Sequence, residues 1–144
     1  MSTVSIPVTK TPWHSWAVAI LTLLWNGSGA ITIVMAQAGR LPDLSADEAA
    51  WYAAQPLWFV ISTDVAIFAP IAAAIALLLR SPLAIWFFGL SLALILVNNV
   101  YELVAGTSRA LVSQGALIVT AIIVVIAILQ FVYSNAMKKR GVLR

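Results

Sequence analysis

Four long apolar runs make up most of the chain, at about residues 15–38, 57–79, 83–105 and 114–133. At about 1.5 Å per residue, a helix of roughly 20 apolar residues crosses a hydrocarbon core of roughly 30 Å. The pattern therefore predicts an all-α integral membrane four-helix bundle, a single domain over residues 1–144. The only long interruption lies between Gly39 and Pro56. In it, Ser45-Ala46-Asp47-Glu48 fits a capping box, which predicts a short helix from Ala46 to about Ala54. Trp51, Tyr52 and Trp58 suit the membrane–water interface, so this helix is expected to lie on the bilayer as an anchor; a lid over a polar site is its other use.

Polar positions inside the runs carry the functional information. Asp64 stands in the second run where hydrocarbon is expected, about 10 Å from that run's start, and an acid at such depth is a functional-site candidate by default. The same run aligns Ser62, Ala66, Ala69, Ala73 and Ala76, a small-residue stripe that admits a second helix closely. Asp64 lies on the opposite face with Phe68 and Ile75, so both faces are expected to meet protein, and self-association through the stripe follows. Pro70 removes a backbone donor and frees the carbonyl of Ala66, which predicts a kink.

In the first run, Ser15, Ala19, Thr22, Asn26, Ala30, Ile33 and Gln37 share a helical face that should look into the bundle. Asn26-Gly27-Ser28-Gly29 within it is expected to stay helical, with Gly serving close packing; the other reading is a break whose carbonyls help form a site. Lys10 before this run and Ala36-Gln37-Ala38 at its end have the form of a cleavable signal, but the apolar stretch is too long for one. The third run places Phe87, Ser91, Leu94, Asn98 and Glu102 on one face with Asn99 beside them. Arg109, in the turn that follows, is placed to pair with Glu102. The fourth run holds only Thr120 and Gln130 and should be the most lipid-facing.

Composition agrees with this class: 62% of residues are hydrophobic and 9% charged, with mean hydropathy +1.02. The net charge of +3 does not point to nucleic acid, because the positive residues collect at the ends of the runs. Lys10, Arg80 and the tail Lys138, Lys139, Arg140 and Arg144 fall on one side, the acidic loop and Arg109 on the other, so both termini are expected to be cytoplasmic. There is no cysteine and one histidine, His14, and every lysine lies outside the runs. That leaves no thiolate or histidine cluster for a metal, no histidine pair for haem and no intramembrane Schiff base; neither a metal nor another cofactor is expected.

Counted from the ends of their runs, Asp64, Asn98 and Asn99 reach a similar depth, with Asn26 near the midplane and Glu102 one to two turns outward. Burial disfavours a carboxylate's charged form, so an acid among amides can exchange a proton with an arriving polar solute. Asp64, Asn98, Asn99, Asn26 and Glu102 are the expected substrate and proton site of a proton-coupled transporter. The other expectation is a structural or assembly component of the membrane, with Asp64 as an interhelical hydrogen-bonding strut. No nucleophile, metal ligand or phosphate loop accompanies the acids, so an enzyme is not expected.

Trp25-Asn26-Gly27 in the first run, the capped acidic loop ending Gln55-Pro56-Leu57-Trp58, the Leu-rich end of the second run at Arg80, and Leu90-Ser91-Leu92 carry a resemblance. The chain resembles a group of small four-helix bacterial inner-membrane proteins often labelled "sugar transporter". That resemblance covers the whole length and implies a bacterial inner membrane and transport. Small multidrug-resistance transporters are similar in helix number, but their acid lies in the first helix and here it lies in the second, so their activity is not carried over.

Overall fold

The computed structural model describes residues 11–105 and 114–144, the side chains of 114–116 excepted. The described residues form α1 (Trp13–Gln37), α2 (Ala46–Ala53), α3 (Leu57–Leu78), α4 (Leu83–Ala105) and α5 (Gln114–Lys139), with no strand among them. All but α2 are long and apolar enough to cross a membrane, and the protein is a multi-pass membrane protein with lipid-facing helices. α5 runs past the expected end near 133 because hydropathy marks only its apolar part; Lys138 and Lys139 in its last turn suit the negative end of the helix dipole.

The four long helices pack in the order α1, α3, α4, α5. Between α1 and α5 the ring closes through side chains. Gln130 Nε2 donates to Thr22 Oγ1 (3.1 Å), and His14 Nδ1 hydrogen-bonds the Tyr133 hydroxyl (2.6 Å). α1 is one unbroken helix through Asn26-Gly27-Ser28-Gly29. Its close-packing expectation fails, however, since a Cβ at Gly27 or Gly29 would meet nothing within 4 Å.

The densest core lies at one end of the bundle, where Ala19, Ala73, Leu77, Ala84, Phe88 and Met137 interlock. The small-residue stripe of α3 belongs to this internal packing: Ala66, Ala69, Ala73 and Ala76 are buried within the protomer. The expectation that the stripe forms a seam between copies is therefore corrected, because its surface is already covered by neighbouring helices. The opposite face does not meet protein along its length either. Phe68 and Ile75 are each 48% exposed and face outward, the direction of lipid.

Pro70 sits inside α3, and the carbonyl it frees is satisfied from the next helix: the Ser91 hydroxyl donates to Ala66 O (2.6 Å). A backbone acceptor stranded in hydrocarbon would cost several kcal/mol (roughly 2–7), which explains a buried serine at that position.

Three helices end in Schellman turns. Gly39 (φ 63°) closes α1 and Gly141 (φ 70°) closes α5. At α3 the left-handed position is Arg80 (φ 60°), with Ser81 N–H donating to Ala76 O (2.8 Å). Arg80 also holds the chain's last residues. Its Nε donates to Val142 O (3.1 Å) and its carbonyl accepts from Arg144 N–H (2.8 Å), while Val142 and Leu143 enter the core. The basic tail thus folds back on the α3–α4 turn.

Candidate functional site

At the end opposite Arg80 the bundle is hollow. A cavity of about 560 Å³ is lined by residues of all five helices, with Trp51 and Tyr52 of α2 at its mouth. Its wall follows α1 from Gln37 down to Asn26, about 16 Å at 1.5 Å per residue, which is half a hydrocarbon core. Local sequence explains the void. Where the packed end has Phe88, Met137 and Leu77, the hollow end presents Ser28, Gly29, Thr63 and Ala66.

Four of the expected site residues line this cavity: Asn26, Asn98, Asn99 and Glu102. Asp64, the expected centre, does not. Its Oδ1 accepts a hydrogen bond from Gln37 Nε2 (2.9 Å) across the α1–α3 contact. Gln37 is the last residue of α1, so Asp64 stands level with the point where that helix ends. Depth counted along α3 alone is misleading because α3 runs about 10 Å beyond its neighbour.

The three asparagines differ in what they have left to offer. Asn98 is buried and engaged at both ends, accepting from the Ser62 hydroxyl (2.6 Å) and donating to Thr63 Oγ1 (3.1 Å). It ties α4 to α3. Asn26 Nδ2 donates to Thr22 O (3.0 Å) and Asn99 Nδ2 to Ile95 O (2.7 Å), each one turn back on its own helix. Their side-chain carbonyls have no partner among the described residues, and each Nδ2 keeps a second hydrogen. A solute entering the cavity therefore meets an acceptor and a donor from two helices.

α2 supplies the mouth. Its capping box forms as expected, with Glu48 N–H donating to Ser45 Oγ (3.2 Å) and Ser45 N–H to Glu48 Oε2 (2.9 Å). This fixes the helix start and turns Trp51 and Tyr52 to the cavity, ring centroids 4.9 Å apart. They line the hollow at its mouth. Burial first, then the negative charges of Glu48 and Glu102, push the Tyr52 phenol up, so it stays a neutral donor. The Trp51 indole N–H is buried with no hydrogen-bond partner. An orphan donor at a cavity mouth is the kind of group that a ligand acceptor completes.

Glu102 is the one acid on the cavity wall, and no Lys or Arg lines it among the described residues. Its expected partner Arg109 lies outside the described residues. No three His, Asp or Glu side chains gather as a metal site among the described residues. Sequence reasoning missed Gln37 as the partner of Asp64, the Thr22–Gln130 bond beneath the cavity and Thr63 on its wall. The only advance signal was a hydroxyl or amide inside an otherwise apolar run. The chain matches no protein-family model, no curated protein and no solved structure.

Proposed function

We propose that the protein is a proton-coupled transporter of a small, uncharged polar solute of sugar-like chemistry. It sits in a bacterial inner membrane with both termini cytoplasmic and the α2 end facing out. The observation that carries this reading is the cavity itself: it enters from the α2 end, reaches Asn26 and stops above the Thr22–Gln130 bond and the packed core. A site open to one side and sealed toward the other is one half of an alternating-access cycle. Asn26 and Asn99 bind solute hydroxyls, Tyr52 and Trp51 donate from the mouth, and Glu102 carries the proton. Asp64 serves as a strut that pins the end of α1 to α3.

Proteoliposomes loaded with a pH-sensitive dye test this. Sugars and polyols are added outside, and wild type should move protons with at least one of them. Glu102→Gln should abolish the linked signal and Asp64→Asn should keep most of it. The absence of cysteine gives a clean topology assay, in which Asp47→Cys should react with an impermeant maleimide from outside and Lys139→Cys only after permeabilisation.

A second reading is favoured by one set of contacts. The Gln37–Asp64, Ser62–Asn98 and Asn98–Thr63 bonds all serve to hold helices together, as in a non-transporting structural or assembly component. Wild-type protein that moves no solute, with full cellular function of Glu102→Gln, decides for that reading.

A further inference from the structure

One seam of the ring is left open on its outer side. α1 and α5 do not pack along their lengths, and between them runs an apolar groove of about 920 Å³ whose walls include Leu21, Leu24, Leu129 and Val132, each at least 57% exposed. Its polar side chains are already engaged. Thr22 and Gln130 bond each other, the Tyr133 hydroxyl bonds His14, and the Ser28 hydroxyl donates to Trp25 O (2.8 Å). What the groove has left to offer is hydrocarbon. Its walls run from Val18 to Ser28 on α1 and from Ile126 to Ala136 on α5, each about 15 Å at 1.5 Å per residue. That is half of a hydrocarbon core of roughly 30 Å, the depth of one leaflet. In length the groove fits one acyl chain of the leaflet at the Arg80 end.

The side-chain charges at that end are of one sign. Lys139 and Arg140 follow Val132 and Tyr133 by seven residues, two turns on along the face of α5 that walls the groove, and both are exposed. Arg140 N–H donates to Ala136 O (3.1 Å), so the helical path continues from the groove to this pair. Lys138 is exposed as well, but it follows Phe131, which packs against the core, and so belongs to another face. The five acidic side chains, Asp43, Asp47, Glu48, Asp64 and Glu102, all lie toward the α2 end. We infer that the α1–α5 groove, with Lys139 and Arg140, is a binding site for an anionic phospholipid, one acyl chain lying in the groove and the negative head resting on the two cations. The site goes beyond the transport reading and stands whether or not the protein moves a solute. Such a lipid brings hydrocarbon to the groove and negative charge to its end, the two things the chain itself does not supply there. A second copy inserted the same way up would instead bring its own Lys139 and Arg140 to the same level, where like charges repel.

The test uses the full chain in phosphatidylcholine nanodiscs that contain a small fraction of phosphatidylglycerol with a diazirine partway down one acyl chain, or of phosphatidylcholine with the same modified chain. After illumination, labelled positions are mapped by mass spectrometry. Labelling by the phosphatidylglycerol probe should concentrate on Leu21, Leu24, Ile126 and Leu129 over Phe68 of α3, which is 48% exposed. Phe68 and Leu129 are each ten residues from the end of their helix on that side, Leu78 and Lys139, so they share a depth. Unlabelled phosphatidylglycerol should compete for the focused labelling, and glycerol phosphate in solution should not. Lys139→Gln with Arg140→Gln should weaken it about thirtyfold, the effect of two cations near a membrane surface, while Lys139→Arg with Arg140→Lys should retain it. Lys138→Gln should leave it nearly unchanged. Val132→Trp, which fills the groove and keeps both cations, should scatter the labelling. Even labelling of α1, α3 and α5 overturns the groove as a lipid site, and so does cross-linking between two copies through it. Focus that is the same for both heads, or an equal loss in Lys138→Gln, overturns the anionic head site, and competition by glycerol phosphate overturns the lipid as its source. No solute is present, so each result is separate from the outcome of the proteoliposome experiment.

Discussion

Pro70 and Ser91 act as one unit although they lie on different helices. The proline leaves the Ala66 carbonyl unpaired and the serine hydroxyl meets it at 2.6 Å. Ser91→Ala should therefore lower stability by about 1 kcal/mol, read from the unfolding midpoint in mixed micelles, with up to about 3 kcal/mol if no water reaches the carbonyl. In a Pro70→Ala background the same serine change should cost clearly less, because the substitution restores the backbone donor; equal losses in both backgrounds would refute the pairing. Asn98→Leu should destabilise by about 1–2 kcal/mol by removing two bonds to α3, whereas Asp64→Asn should be nearly neutral because an amide oxygen still accepts from Gln37. At this scale the sequence was legible where residue type alone carries the chemistry: Asn26, Asn98, Asn99 and Glu102 line one cavity. It was not legible for Asp64, whose setting depends on where α1 ends. Nor was it legible for Ser91 and Thr22, since a hydroxyl in an apolar run can be satisfied by its own helix or by any neighbour.

Among the elements, α2 depends on its cap more than on burial, for none of its residues is buried. The Glu48 carboxyl is held below its ordinary value of 4.5 by hydrogen bonds from the Ser45 side chain and then the Ser45 backbone. A depressed carboxyl contributes stability that is fully present above the ordinary value and is lost as pH falls through the lower folded value. Amide exchange in α2 should accordingly rise as pH is taken from neutral to below 4.5, after correction for intrinsic rates, and Ser45→Ala should weaken that pH dependence without abolishing it, since the backbone N–H at position 45 still donates to Glu48. The helix was readable beforehand because a capping box is local. Its position over the cavity was not, since that depends on how α1 and α3 are spaced. The end of α5 is equally local in origin. Gly141→Ala places a Cβ at φ 70° and should cost about 1 kcal/mol, seen as easier proteolysis after Lys138 or Lys139 once Val142 and Leu143 leave the core.

The whole molecule divides into a packed half and a hollow half, and the division decides what the alanine stripe of α3 does. Ala69→Leu with Ala73→Leu should reduce the yield of folded, monodisperse protein, each change overpacking the core by about 1–3 kcal/mol; well-folded but dissociated protomers would show instead that the stripe joins copies. The spans were legible because apolar length is a one-dimensional property. The order of helices around the ring and the void under α2 were not, because both follow from which side chains fill shared volume. That void also has an electrical meaning. Water admitted to it extends the bath on that side down to Asn26, so nearly the whole membrane voltage falls across the packed half, between Asn26 and the Arg80 turn. On the transport reading proposed above, a proton bound at Glu102 would have crossed almost none of the voltage, and the full ~2.3 kcal/mol per charge per 100 mV would lie along the remaining path. Binding at the cavity should thus be indifferent to membrane potential, and the step that opens the packed half should carry all of the voltage dependence.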